Sequence, residues 1–130
     1  MQNQNRFRPP ENGVFSNMRI VVTNALSLSM FTQQYITLRI MRTSLNSLSS
    51  FIETITRHAS VEFTHYIRHK ATLEVVRKYL PQLSPEPNAS AYVYKPGDII
   101  IVVALKTPQR GQEVQQINEN DLDVAIVEVI

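Results

Sequence analysis

Residues 61–76, Val-Glu-Phe-Thr-His-Tyr-Ile-Arg-His-Lys-Ala-Thr-Leu-Glu-Val-Val, change their hydrophobic period partway along, and that change limits what this stretch can fold into. Val61, Phe63, His65 and Ile67 recur at every second position, as one face of a strand does. Leu73, Val76 and Leu80 recur at helical spacing. The segment reads as a short strand running to Arg68 and passing directly into an amphipathic helix, with His69 at the junction. The first turn of a helix leaves backbone N–H groups unpaired at the positive end of the helix dipole, which suits a phosphate. An imidazole held there exchanges protons near neutral pH, so His69 is the first candidate for chemistry.

The rest of the composition narrows the class of protein. With 130 residues, 43% of them hydrophobic, the chain has material for one core of its own. It contains no cysteine, which excludes disulfides and thiolate metal sites. No apolar run approaches the roughly 18–20 residues of a membrane span, so no membrane partner is expected. The polar N-terminus does not read as a signal peptide. The net charge of +2 is too small to point to duplex DNA. Its distribution says more, because Arg57, Arg68, Lys70, Arg77 and Lys78 crowd the middle while Glu119, Asp121, Asp123 and Glu128 lie near the end. A basic patch suits an anionic ligand, although solvated charge is the commoner reason for one.

Residues 1–17, rich in Asn, Gln and Pro, read as a flexible extension, and residues 18–130 as one domain. Met18–Thr23 is a strand with Ile20, Val21 and Val22 buried, ended by Thr23-Asn24-Ala25-Leu26-Ser27. Tyr35–Met41 alternates again. From Ser44 to Arg57 the stripe Leu45, Leu48, Phe51, Ile52 and Ile55 is helical, with Thr43 or Ser44 as cap. Ala91–Lys95 and Asp98–Leu105 flank Lys-Pro-Gly-Asp, whose Pro96 and Gly97 fit the two central positions of a type II turn, so a hairpin is expected. Ile99–Ala104 is apolar throughout and reads as a central strand covered on both faces. A polar loop over 107–116, a short turn or helical piece over 118–122 and a strand over 123–130 complete the chain. The sum is an α+β fold, a mixed sheet of about five strands flanked by two main helices.

Individually, the candidate residues are weak signals. His65 and His69 stand four apart with His58 upstream, but no Glu follows His65 as in a metalloprotease helix, so no metal is expected and His65 reads as a partly buried strand histidine. A histidine at a helix start is most often a cap. Arg110 and Glu113 would ordinarily be loop charges, and Asn24 and Ser27 turn residues. Three glycines are too few for a phosphate-binding or dinucleotide glycine loop.

Together these segments resemble the small viral and prophage family that includes the anti-CRISPR ring nucleases of archaeal viruses. The resemblance is carried by the strand ending in Thr23-Asn24-Ala25-Leu26-Ser27, by Phe63-Thr64-His65-Tyr66-Ile67-Arg68-His69-Lys70-Ala71-Thr72 with its helix, and by the apolar strand through Leu105-Lys106 with Arg110 and Glu113 following. Arg68 stands where the family commonly has Gly, and the loop reads Arg110-Gly111-Gln112-Glu113 where the family usually has Arg-x-Pro-Glu-Gly. The resemblance implies a homodimer that binds cyclic tetra-adenylate across its two-fold axis and cleaves it without metal or other cofactor. It implies a cytoplasmic site of action, against type III CRISPR signalling. It makes His69 the general acid, Glu113 a catalytic partner that orients a ribose hydroxyl or an arginine, and Arg110 the phosphate clamp. Asn24 and Ser27 would contact ribose or phosphate. Arg68 and Lys70 would add positive potential, a role that follows from their charge and not from the resemblance. The alternative of a different class is a non-catalytic dimer that binds cyclic oligoadenylate or nucleic acid as a sink or regulator.

Overall fold

The computed structural model describes residues 17–90, 93–106 and 117–130. Five strands, β1 (Asn17–Thr23), β2 (Leu38–Thr43), β3 (Ser60–His65), β4 (Ile99–Leu105) and β5 (Leu122–Val129), form one mixed sheet in the order β2-β5-β4-β1-β3. β3, β1 and β4 are mutually parallel, and β5 runs antiparallel to both β4 and β2. Two helices, α1 (Leu45–His58) and α2 (Lys70–Tyr79), join β2 to β3 and β3 toward β4. The fold is therefore α+β, as the sequence pattern predicts.

Both helices bury their apolar stripes against one face of the sheet. Leu45, Leu48, Ile52 and Ile55 of α1, with Leu73 and Val76 of α2, pack on Ile20 and Val22 of β1, Ile99, Ile101 and Val103 of β4, and Val124 and Ile126 of β5. Each fully buried Leu or Ile contributes about 1.5–3 kcal/mol. Ser44 caps α1 by accepting the Ser47 N–H at 3.2 Å. On the other face Val21, Ile100, Val127 and Val129 lie under Tyr94, Met30 and Phe31. The Phe31 and Tyr94 rings sit 5.0 Å apart between centroids. Covered on both faces and paired along both edges, β4 is the central strand that its unbroken apolar run predicts.

Three local expectations need correction. The Ala91–Lys95 arm of the expected hairpin does not form, since residues 93–95 are not strand and residues 91–92 lie outside the described ones. The reason is topological: β5 and β1 occupy both edges of β4, so a preceding arm has nowhere to pair. The Tyr94 N–H instead donates to Met30 O at 2.8 Å. The turn itself is as expected, with Gly97 at φ +95° and the Asp98 N–H donating to Lys95 O at 3.0 Å. β3 stops at His65 rather than Arg68, because its neighbour β1 ends with it; Val22 pairs with His65, and the last rung is Tyr66 N–H to Val22 O. β2 begins at Leu38, not Tyr35, because β5 runs out opposite, where Ile130 N–H reaches Thr37 O. Tyr35 is left 85% exposed.

An ion pair ties the Tyr94 segment to β1. Asp98 is buried, accepts the Lys95 N–H at 2.9 Å and meets Arg19 Nη2 at 3.2 Å, while the same Arg19 nitrogen donates to Val93 O. Asp98→Ala orphans the Lys95 N–H and removes the carboxylate that meets Arg19, so a loss of about 2–3 kcal/mol is expected. Asp98→Asn keeps an acceptor and should cost less. A urea midpoint left unchanged in both variants would mean that the carboxylate is not the anchor.

Candidate functional site

Because β3, β1 and β4 are parallel and adjacent, the segments leaving their C-terminal ends emerge from one edge of the sheet. They are Asn24 to Ser27 after β1, Tyr66 to His69 after β3 and Lys106 after β4. Open sheets place ligands at this edge, where loops from neighbouring strands converge. Two of the segments named from the sequence thus share one end of the molecule, and the strand of the third ends there, its loop lying outside the described residues.

Each departs on a locally fixed path. The Thr23 hydroxyl donates to Ala25 O at 2.9 Å and accepts the Ala25 N–H at 3.3 Å, closing a tight turn with Asn24 exposed at its tip. Ser27 follows, exposed, its Oγ 2.7 Å from that of Ser29. After β3 the fixed point is His65, 2% exposed. Its Nε2 lies 2.7 Å from Ser84 O, and its Nδ1 accepts the Ile67 N–H at 3.2 Å. A carbonyl only accepts and an amide only donates, so both bonds require the tautomer with the proton on Nε2. His65 is thus a satisfied core histidine with both ring nitrogens engaged, which is the role the sequence favours. Its own carbonyl accepts the Asn88 N–H at 2.8 Å, and Asn88 Nδ2 reaches the Tyr66 hydroxyl at 3.3 Å, so residues 84–90 are pinned over the end of β3.

These segments enclose a cleft of about 360 Å³. Thr23, Ser27, Tyr66, Arg68, Ser90 and Tyr94 line it. Of the expected site residues, the structure therefore brings Ser27 and Arg68 into one cleft. Asn24 sits at the tip of the turn between two lining residues, Thr23 and Ala25, and Lys70 is exposed on the first turn of α2. Arg110 and Glu113 lie outside the described residues. Burial raises the Tyr66 hydroxyl above the usual tyrosine range, opposed by the Asn88 hydrogen bond and the Arg19 charge, so it is a neutral donor and acceptor at physiological pH.

His69 is the N-cap of α2, one residue beyond the cleft-lining Arg68. Its Nδ1 accepts the Thr72 N–H at 3.3 Å and lies 2.8 Å from Thr72 Oγ1. Nε2 is the nitrogen left for a ligand. Four of the five residues of the basic cluster read from the sequence divide into two pairs. Arg57 pairs with Glu53 at 2.6 Å, and Arg77 Nε donates to Leu83 O at 3.0 Å, so both are spent on the fold. Arg68 and Lys70 make no ion pair or hydrogen bond among the described residues. Arg68 carries its charge into the cleft lining, and Lys70 is exposed two residues on, in the first turn of α2.

A larger cavity, about 480 Å³, lies near the β2 side of the sheet between Arg42, Asn46, Lys106, Glu119 and Asp123. Its opposed charges offset one another, and none of the described candidate residues lines it. The smaller cleft is the better site despite its size. Sequence reasoning missed Thr23, Tyr66, Thr72 and Ser90. Thr72 had a readable signal, since it stands three residues after the capping histidine, where a capping partner belongs. Ser90 had none, because its loop is brought to the cleft by bonds to His65 and Tyr66, which are distant in sequence.

Among solved structures, B116 of Sulfolobus turreted icosahedral virus is similar to this chain with a TM-score of 0.61, over 85% of this chain and 98% of its own, at 14% identity. At that identity the likeness establishes a shared fold, that of an archaeal-virus protein. No family model matches the sequence, and no curated protein matches it significantly. Among the described residues, no helix is long and apolar enough to cross a membrane, and no group of three His, Cys, Asp or Glu is placed to hold a metal ion.

Proposed function

We propose that this chain is a metal-independent ring nuclease that cleaves cyclic tetra-adenylate, acting as a homodimer against type III CRISPR signalling in the cytoplasm of an infected cell. The observation that carries the reading is the convergence of the β1, β3 and β4 exits on one sheet edge, with His69 at a helix N-terminus beside a cleft lined by Ser27 and Arg68. The viral setting is supported by the fold shared with the B116 protein.

RNA carries its own nucleophile, so this cleft has little to add. A ribose 2′-oxygen attacks the adjacent phosphorus, its proton passes to solvent, the P–O5′ bond breaks and a 2′,3′-cyclic phosphate remains. The protein must hold the groups in line, stabilise the added charge and protonate the departing 5′-oxygen. His69 Nε2–H would supply that proton. Arg68, Lys70 and the N–H groups of the first turn of α2 would hold the phosphate. Asn24 and Ser27 would contact ribose or phosphate, Arg110 would clamp the phosphate, and Glu113 would orient a hydroxyl. A ring with two-fold symmetry is matched by two copies of the chain, each presenting one His69 to opposite phosphates.

The test is turnover. Purified protein in EDTA with a large excess of labelled cyclic tetra-adenylate is expected to convert all of it to linear di-adenylate ending in 2′,3′-cyclic phosphate. Stoichiometric protection without product would replace the enzyme by a binding sink. Neither binding nor product would leave the fold without this ligand.

A further inference from the structure

The His69 ring is held through Nδ1 by two groups of one residue, and the two differ in what they can do. Thr72 is buried, 2% exposed, on the first turn of α2. Its backbone N–H donates to Nδ1 at 3.3 Å, and its Oγ1 lies 2.8 Å from the same atom. The amide is only a donor. Acting alone it would hold Nδ1 permanently as an acceptor and keep the ring neutral, with its proton on Nε2. The hydroxyl both donates and accepts.

We infer that Thr72 is the positioning residue of His69, its rotating hydroxyl holding Nδ1 in both the neutral and the protonated ring so that Nε2 stays free for the substrate. The inference rests on reading His69 as the general acid. A histidine that gives up a proton at Nε2 and remains neutral must begin as imidazolium, with protons on both nitrogens. The Nδ1 proton then needs an acceptor, and of the two groups beside it only Thr72 Oγ1 is one. When the departing 5′-oxygen takes the electron pair of the broken P–O5′ bond, the Nε2–H bond breaks and O5′–H forms. The ring is left with Nδ1–H on Thr72 Oγ1, in the same place. When solvent moves the ring proton to Nε2, the hydroxyl turns and donates to Nδ1. While Nδ1 is protonated it cannot accept the Thr72 N–H, so the hydroxyl alone holds the ring in that state. It is the one group beside Nδ1 that serves every state of the cycle. A displacement of the ring by as little as about 1 Å would slow the step.

Thr72→Val keeps the shape and the backbone cap but removes the hydroxyl; Thr72→Ser restores it. Two readouts are taken on wild type and both variants. In nitrogen-15 spectra of the His69 ring at mildly acid pH, wild type and Thr72→Ser are expected to show a hydrogen-bonded, slowly exchanging Nδ1–H, which Thr72→Val loses to exchange with water. In single-turnover cleavage of cyclic tetra-adenylate, Thr72→Val is expected to be about 10²-fold slower at unchanged ring affinity, with Thr72→Ser close to wild type. A wild-type rate and an intact Nδ1–H signal in Thr72→Val would overturn the positioning role while leaving the nuclease standing. The expected spectra in a wild-type protein that cleaves nothing would sink the nuclease and keep Thr72 as the partner of Nδ1. Equal loss of rate in the serine and valine variants would reduce Thr72 to a packing residue.

Discussion

His69→Asn is expected to abolish cleavage of cyclic tetra-adenylate while leaving α2 folded and the ring bound. Asparagine is chosen because His69 has two jobs. As the N-cap of α2 it accepts the Thr72 N–H, and asparagine is among the best capping residues, so its side-chain oxygen can take over that bond. It has no proton to give at neutral pH, so the general acid alone is removed. Loss of such an acid lowers the rate by about 10²–10⁴-fold. His69→Ala removes both jobs and should also cost about 1 kcal/mol of stability. The measurements are single-turnover cleavage and equilibrium binding of the labelled ring, with a urea melt of each variant. Asparagine and alanine variants that are both inactive, with only alanine destabilised, separate acid from cap. A His69→Asn protein that cleaves at the wild-type rate would show that the acid lies elsewhere.

Much of this site was legible because it follows from local periodicity. The switch from period two to helical spacing between Ile67 and Leu73 places a helix start near His69, and α2 does begin at Lys70. The unbroken run Ile99–Ala104 announces a strand buried on both faces, and β4 is that strand. What could not be read is whatever depends on a distant neighbour. The end of β3 is set by the end of β1, and the start of β2 by the end of β5, so alternation along one strand overruns its true length. The same holds for the cleft. Ser27 and Arg68 are 41 positions apart in number but leave adjacent parallel strands, and nothing local reveals that adjacency. Ser90 is more distant still from any local rule. It reaches the cleft because His65 and Tyr66, far off in sequence, hold Ser84 and Asn88 of its loop.

That histidine is the second place where a large effect is expected. His65→Ala should destabilise the protein by about 3–5 kcal/mol, a large share of the 5–15 kcal/mol of a typical domain. Two losses add. The imidazole is almost wholly buried, so its removal leaves a cavity at the end of β3. The Ile67 N–H, buried beneath it, loses its acceptor, and Ser84 O loses its donor. The expected fall in melting temperature is about 10–20 °C. A general loss of stability would not by itself tie His65 to the site, so exchange of the Asn88 and Ile67 amides is followed under conditions where the variant is still folded. If His65 anchors residues 84–90 and the turn into His69, exchange at these two amides should speed up more than at Ile100 in the sheet centre, and ring affinity should weaken. Uniform acceleration at all three would make His65 a core residue like any other. A change below about 1 kcal/mol would mean that water replaces both bonds, and the junction that presents His69 would then owe its shape to α2 and its cap alone.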